Sequence, residues 1–322
     1  MKNKYCQKCR YKLIKWGYDA RGKKRYRCPN CGVGKTRKRK DLTLLNRQKL
    51  FTLYLCGKLS MSEIAKSKNI TRQTLNNHFS PFKDIDEIPI DINTQGEVLI
   101  VDGYYVEQKA IVLIGQKTNK VVVTWVFTYA ENYLTWYTFF QNIRQTPLAV
   151  VGDGQKGMYK AFKARFNGVL FQRCQFHVIH HVNLILTKKP ELIPSQELKI
   201  IVGKIIKVKT TEEQKEWLLE FRDWYKRHEL FIKQKTYQSE MTATNRNKWH
   251  YTHGKLHRAF SHVKNALPYL FTYLKNPKIA NTTNGIEGAT NAQIQRQIDL
   301  HRGKNIGARR KLIGIILKQK QR

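Results

Sequence analysis

Three carboxylates in this sequence stand where a carboxylate needs a reason. Asp102 interrupts the apolar run VLIVDGYYV. An ionised side chain inside such a central strand is unfavourable unless it is paired or holds a cation. Asp153 ends a second apolar run, LAVVGDG, where a glycine-flanked turn exposes it, and Glu287 lies in TTNGIEGATN at the start of an expected helix. Singly, an Asp at a strand end is more often a turn former or a helix cap. Together, three acids from three elements suffice for hard divalent cations, which also take water and phosphate oxygens. Two such cations roughly 3.5–4 Å apart clamp the attacking and leaving oxygens of an in-line phosphodiester displacement. Two Mg²⁺ (or Mn²⁺) on Asp102, Asp153 and Glu287 are therefore expected.

A second ligand set lies near the N-terminus. Cys6-x2-Cys9 and Cys28-x2-Cys31 are separated by eighteen residues. Two tight thiolate pairs supply the four soft ligands of tetrahedral Zn²⁺, at zinc-ribbon spacing. The competing reading, buried or disulfide-bonded cysteines, is disfavoured in a reduced compartment. A segment this charged has too little core to fold alone, so one structural zinc is expected to supply the folding energy. Lys23, Lys24, Arg25 and Arg27 are expected to grip phosphates there.

The elements that must position these groups follow from charge and periodicity. The net charge is +37, and residues 1–40 hold sixteen Lys or Arg against the single acid Asp19. A polyanion is the expected partner, with nucleic acid ahead of anionic membrane. Aromatic residues at 11% exclude a wholly disordered basic protein. There is no run of about 18 apolar residues and no apolar leader, so the expected location is cytoplasmic, beside the nucleoid. Residues 41–82 read as three helices. Ser62 and Thr71 are placed as N-caps, with Ile64, Ala65, Ile70, Leu75 and Phe79 inward. Arg72, Gln73, Asn76 and Asn77 point outward, and these types contact base edges in the major groove, so a helix-turn-helix is expected. Acids and prolines mark a linker over 83–96. From residue 97 the order strand-strand-strand-helix-strand-helix-strand-helix predicts a mixed α/β sheet flanked by helices. Residues 188–280 read as mainly helical, and a last helix over 284–300 precedes a basic tail.

The strand with Asp102, the VGDG turn with Asp153, Cys174-Gln175-Phe176-His177 and NTTNGIEG around Glu287 together resemble the Mutator-like insertion-sequence transposases. WHYTH at 249–253, ALPYLFTYL and His301-Arg302-Gly303 share the resemblance, which covers most of residues 95–305. It implies a ribonuclease H-like catalytic domain (97–187, completed by 281–322) with an all-helical insertion (188–280). It implies DDE-type DNA cleavage and strand transfer, with Asp102, Asp153 and Glu287 as the metal-binding triad. It also implies that the ribbon and helix-turn-helix bind terminal inverted repeats of double-stranded DNA, and that target DNA follows. Synapsis of two ends makes a homodimer or larger homo-oligomer the expected assembly. Cys174 and His177 belong to the pattern without an assigned role. Where such enzymes carry a basic residue two turns after the Glu, this chain has Gln295, so Arg296 or Arg302 is expected to take over that DNA contact.

The insertion offers Arg246, Lys248 and Arg258 as phosphate contacts. Its Trp217, Trp224 and Trp249 are either helical core or platforms for unpaired bases. His253 and His257 read as a buttressing pair, or as completing a second zinc site with Cys174 and His177. Two other readings compete for the whole chain: a non-catalytic ribbon and helix-turn-helix regulator, and a ribonuclease H-like nuclease without strand transfer.

Overall fold

The computed structural model describes residues 4–20, 22–36, 43–55, 58–82, 92–107, 110–237 and 249–321. Arg246, Lys248 and residues 83–91 of the expected linker lie outside them. The chain forms two compact units, Met1–Phe82 and Lys83–Arg322.

In the first unit, β1 (Ile14–Tyr18), β2 (Lys24–Arg27) and β3 (Gly34–Thr36) form an antiparallel sheet in sequence order. Three helices follow: α1 (Leu44–Leu55), α2 (Met61–Ser67) and α3 (Arg72–Phe79). Phe51, Leu55, Ile64, Ala65, Leu75 and Phe79 are buried between them. Thr71 caps α3, its Oγ1 accepting from Thr74 N at 3.1 Å. The cap of α2 is Ser60, not Ser62. Ser60 Oγ accepts from Glu63 N at 3.2 Å while Glu63 Oε2 accepts from Ser60 N at 2.6 Å. Ser62 already lies within the helix. The Ser-x-x-Glu spacing of a reciprocal cap starts at residue 60, and it outweighs a lone serine two residues later.

The second unit is built on a five-stranded sheet ordered β6-β5-β4-β7-β8. β4 (Val98–Val106), β5 (Ala110–Lys117) and β6 (Val122–Thr128) form an antiparallel meander. β7 (Ala149–Gly152) and β8 (Leu170–Arg173) extend it parallel to β4. One face packs under α4 (Tyr133–Gln141) and α5 (Lys156–Arg165), where Leu99, Val101 and Leu113 meet Trp136, Phe139, Phe140 and Phe162. On the other face Val98, Ile100, Ala149 and Val151 meet Ile279 and Ile286. Side chains alternate along a strand, so Asp102 and Tyr104 share this second face with Ile100.

α6 (Gln175–Leu186), α7 (Ile193–Gly203), α8 (Thr211–Lys233) and α9 (Gly254–Leu270) make a separate helical core, with a short pair β9 (Lys235–Tyr237) and β10 (Trp249–Tyr251) beside it. Trp217 and Trp224 belong to that core. Their indole N–H groups donate to Ile201 O at 2.8 Å and Pro194 O at 3.1 Å. Neither ring is free to stack on a base. Trp249 is exposed and carries Lys235 Nζ 3.8 Å from its ring centre.

The C-terminal region differs from the expectation in two ways. The helix expected over 284–300 opens with a π-helical turn, Ile286–Asn291, before α10 (Ala292–Leu300). The expected basic tail contains a helix, α11 (Ile306–Gln319), with Leu312, Ile313, Ile315, Ile316 and Leu317 buried. Val122 N at the start of β6 donates to Lys320 O at 2.9 Å. The buried Arg309 pairs with Glu107 and donates to Arg302 O at 2.7 Å. Counting charge alone hid an apolar stripe that the sheet covers.

Phe140 is fully buried, in ring contact with Trp136, Phe139, Phe162 and Phe166. Phe140→Ala should therefore destabilise the second unit by about 3–5 kcal/mol. The check is a lower denaturant midpoint with an unchanged slope.

Candidate active site

The register of the parallel strands brings two acids together. Ile100 of β4 lies opposite Val151 of β7. Two residues further along each chain, Asp102 and Asp153 leave the same face at the same level. Asp153 Oδ1 accepts from Gln155 N at 2.9 Å, and its main-chain oxygen accepts from Arg173 Nε at 3.1 Å. The turn needs Gly154: its φ is +71°, and a Cβ there would sit 2.9 Å from Arg173 Cδ.

Glu287 reaches this face from the π-helical turn. Its Oε1 accepts from Thr283 Oγ1 at 2.7 Å and lies 3.8 Å from His177 Nδ1. Thr283 in turn sits on the Cys174 thiol, with its N and Oγ1 each 3.3 Å from Sγ. The ligand atoms of Cys174, His177 and Glu287 all fall within 4.8 Å of one another. The Cys-x2-His pair thus lies beneath the glutamate. His253 and His257 take no part in that group. His253 stacks on Phe231 at 3.6 Å and His257 on Tyr251 at 3.5 Å.

Burial pushes the Asp102 carboxyl up to about 7, and the charges of Glu287 and Asp153 add to the shift. His177 and a hydrogen bond from Asn291 oppose it. His177 is raised to about 9, first by its hydrogen bond with Cys174, then by the fields of Cys174, Asp102 and Glu287. The imidazolium is the local counter-charge to the carboxylates. Asp102 is thus within electrostatic reach of Asp153, Glu287 and His177, all part-buried, although among the described residues the ligand atoms that lie within 4.8 Å of one another here are those of Cys174, His177 and Glu287. Carboxylate oxygens are the donors that hard divalent cations take.

Two neighbouring groups escaped the sequence reading. Glu131, just before α4, accepts from Tyr105 OH at 2.7 Å and Trp136 Nε1 at 3.1 Å. Burial raises its carboxyl above the usual range, and Asp153 adds to that. A Cβ at Gly103 would lie 3.2 Å from Glu131 Oε2. In sequence Glu131 looks like an ordinary acid ahead of a helix. Asn291, four residues after Glu287, donates from Nδ2 to Asp102 Oδ2 at 2.9 Å. Only the i, i+4 spacing hinted at it. Gln295, one turn on, accepts from Tyr104 OH, so it faces the sheet.

In the first unit the four cysteine sulfurs lie within 4.8 Å of one another, with close pairs at 3.4 Å (Cys6–Cys31), 3.3 Å (Cys9–Cys28) and 3.4 Å (Cys9–Cys31). Sulfurs about 2.3 Å from a tetrahedral zinc are separated by about 3.8 Å, so the cluster fits a zinc site. The two loops match: Arg10 N donates to Cys6 O and Gly32 N to Cys28 O, each at 3.0 Å, and both residues have positive φ. Among the proposed DNA contacts, Arg72, Gln73, Asn76 and Asn77 are exposed on α3, and Lys24, Arg25 and Arg27 on β2. Lys23 is half-buried. The guanidiniums of Arg25 and Arg27 lie 5.0 and 4.4 Å from the Trp16 ring centre. Arg258 and Arg302 are exposed in the second unit. No helix among the described residues is long and apolar enough to cross a membrane.

Asp102 and His177 both have folded values above their ordinary ones, about 7 against 3.8 and about 9 against 6.5. Their bound protons stabilise the folded state. That stability is lost as pH rises, through about 7 for Asp102 and about 9 for His177. In Mg²⁺-free buffer the melting temperature should fall as pH rises across this range. Asp102→Asn should flatten the lower half of the fall, measured by thermal denaturation against pH.

The profile of the family described as "Transposase, Mutator family" matches residues 71–230. That stretch includes Asp102, Asp153, Cys174 and His177, whereas Glu287 and Asn291 lie beyond it. Two curated relatives, each the transposase for insertion sequence element IS256 in transposon Tn4001, come from Staphylococcus aureus and Enterococcus faecalis. Each is 28% identical over 75 residues, which is 22% of this chain and 19% of the relative. The matched stretch thus spans about a fifth of those relatives. By these matches, the chain is similar over residues 71–230 to the Mutator family of transposases.

Proposed function

We propose that this protein is a DNA transposase of the DDE type, with Asp102, Asp153 and Glu287 holding two Mg²⁺ (or Mn²⁺) at the reacting phosphate. The observation that carries the reading is the convergence of these three acids, from β4, the end of β7 and the π-helical turn, on one sheet face. The match to the Mutator family over the segment bearing the first two supports it. We read the meander with two added parallel strands as a ribonuclease H-like sheet, and the helices from α7 to α9 as its insertion.

When bound, the cations polarise the scissile phosphate and lower the pKa of the attacking water. The chain's own residues hold the acids in place. Asn291 bonds Asp102, Gln155 N and Gly154 set Asp153, and Thr283 on Cys174 sets Glu287. His177 carries positive charge among them. Catalysis of this kind is positioning plus electrostatics. The freed 3′-hydroxyl then attacks target DNA. In the first unit, the Cys6, Cys9, Cys28 and Cys31 cluster holds one structural zinc as a ribbon. Exposed Arg72, Gln73, Asn76 and Asn77 read base edges of the terminal inverted repeats, as in a helix-turn-helix. Two copies of the chain hold the two element ends.

With full-length protein, Mg²⁺ and a duplex bearing the flanking repeats, wild type should cleave and join. Asp153→Ala and Glu287→Gln should lose at least about 10³-fold in cleavage, while gel-shift affinity for the same duplex stays near wild type. Cleavage that survives Asp153→Ala would overturn the assignment. Cleavage without joining points to a nuclease, and repeat binding with no Mg²⁺-dependent chemistry points to a regulator. Metal analysis should find one zinc per chain. Cys28→Ser should lose it along with a change in far-ultraviolet circular dichroism.

A further inference from the structure

Asn291 is the closest hydrogen-bonding neighbour of Asp102, and half of its amide is unused. Nδ2 donates to Asp102 Oδ2 at 2.9 Å, while Oδ1 is buried and has no hydrogen-bond partner. A buried carbonyl oxygen without a donor is unfavourable by about 1–3 kcal/mol. Turning the amide over does not relieve this: Oδ1 would then face the Asp102 oxygen, and an N–H would be stranded instead.

The segment is held firmly enough that the side chain cannot drift away from this arrangement. Ala292 N closes the wide turn on Glu287 O, which places Asn291 at the last position of the π-helical segment. Thr290 Oγ1 donates to the buried Gln116 Oε1 at 2.7 Å, and Ile286 is fully buried against Ile100 and Val151. One turn further, Gln295 bonds Tyr104, on the same face of β4 as Asp102. Such π-turns are uncommon and recur at functional sites. Here the turn presents Glu287 and Asn291 together to the face of β4 that carries Asp102. An amide carbonyl is a hard, neutral oxygen, of the kind that suits Mg²⁺, Mn²⁺ and Ca²⁺.

We propose that Asn291 is a positioning residue of the cation site: its Nδ2 fixes the Asp102 carboxylate and its Oδ1 is a further oxygen donor toward the divalent cation. This rests on the carboxylate-cation reading above and adds to it a fourth residue that carries no charge. A neutral donor strengthens the cation's shell without adding to the repulsion among Asp102, Asp153 and Glu287. It also explains why the buried acceptor is tolerated.

The test is Mn²⁺ binding to the zinc-loaded full-length chain, read from the electron paramagnetic resonance signal of free Mn²⁺, with no DNA and no turnover. Wild type, Asn291→Ala, Asn291→Leu and Asp153→Asn are compared, and the melting temperature of each is taken without Mn²⁺. Asn291→Leu keeps the volume and removes both polar atoms, so it stands in should the alanine variant fold poorly. The expected result is a loss of Mn²⁺ affinity of about 10- to 100-fold in the Asn291 variants. Their metal-free melting temperatures should stay near or above wild type, because an orphaned acceptor has been removed. If Asp153→Asn abolishes Mn²⁺ binding while both Asn291 variants bind like wild type, the role given to Asn291 is wrong and the carboxylate site stands. If Asp153→Asn also binds like wild type, the carboxylate-cation reading falls and takes this inference with it.

Discussion

Placing a carboxylate in the middle of a packed strand is the constraint around which the second unit is organised. Asp102 follows Val98 and Ile100 on a face otherwise closed by Ile279 and Ile286. Burial alone favours the neutral acid there, and two further acids close by strengthen that preference. Such an arrangement is unfavourable for folding and is expected only where a cation or a proton-transfer role compensates. The groups around Asp102 fit that logic. One imidazolium, one amide donor and a hydroxyl resting on a thiol contact these acids without neutralising them all.

The helical core of α6 to α9 takes part in that constraint. α6 begins with the Cys174 and His177 that support Glu287 and continues into the helical core through Val178, Val182 and Leu186. The chain returns from α9 through buried polar contacts. Gln172 Nε2 and Gln175 Nε2 donate to Leu270 O at 2.9 and 3.2 Å, and Thr272 Oγ1 donates to Phe171 O at 2.8 Å. Gln175 then bonds Asn281 at 3.0 Å through both main chain and side chain, which fixes where the segment bearing Glu287 starts. Buried amides with satisfied partners specify one arrangement, whereas apolar contacts alone tolerate several. A glutamate more than a hundred residues from Asp153 is thereby delivered to within electrostatic reach of Asp102.

The charge of +37 acquires a different meaning once its residues are placed. Part of it lies on the exposed strand β2 and helix α3, where solvent and a polyanion can reach it. Part of it is structural. Arg309 is buried against Glu107, and Arg173 braces the Asp153 turn, where burial lowers its pKa. The C-terminal run expected as a basic tail is, over Ile306–Gln319, a helix with its apolar stripe against the sheet.

Much of this was legible in the sequence because it rests on local periodicity and ligand chemistry. The strand pattern of β4 to β8, the paired cysteines and the three suspect carboxylates all announce themselves over a few residues. The capping box at Ser60, the π-turn and the burial of α11 were not legible in the same way. The first was overlooked beside a competing serine. The other two depend on what the sheet offers to pack against. Glu131 and Asn291 are ordinary polar residues in sequence, one before a helix and one within it. Only the fold decides that they face Asp153 and Asp102, because a residue's electrostatic neighbours are set by strand register and helix docking, which bring together positions far apart along the chain. The sequence by itself determined which residue types were present to hold cations and phosphates. The tertiary structure decided which of them share a low-dielectric face, where proximity gives their charges force.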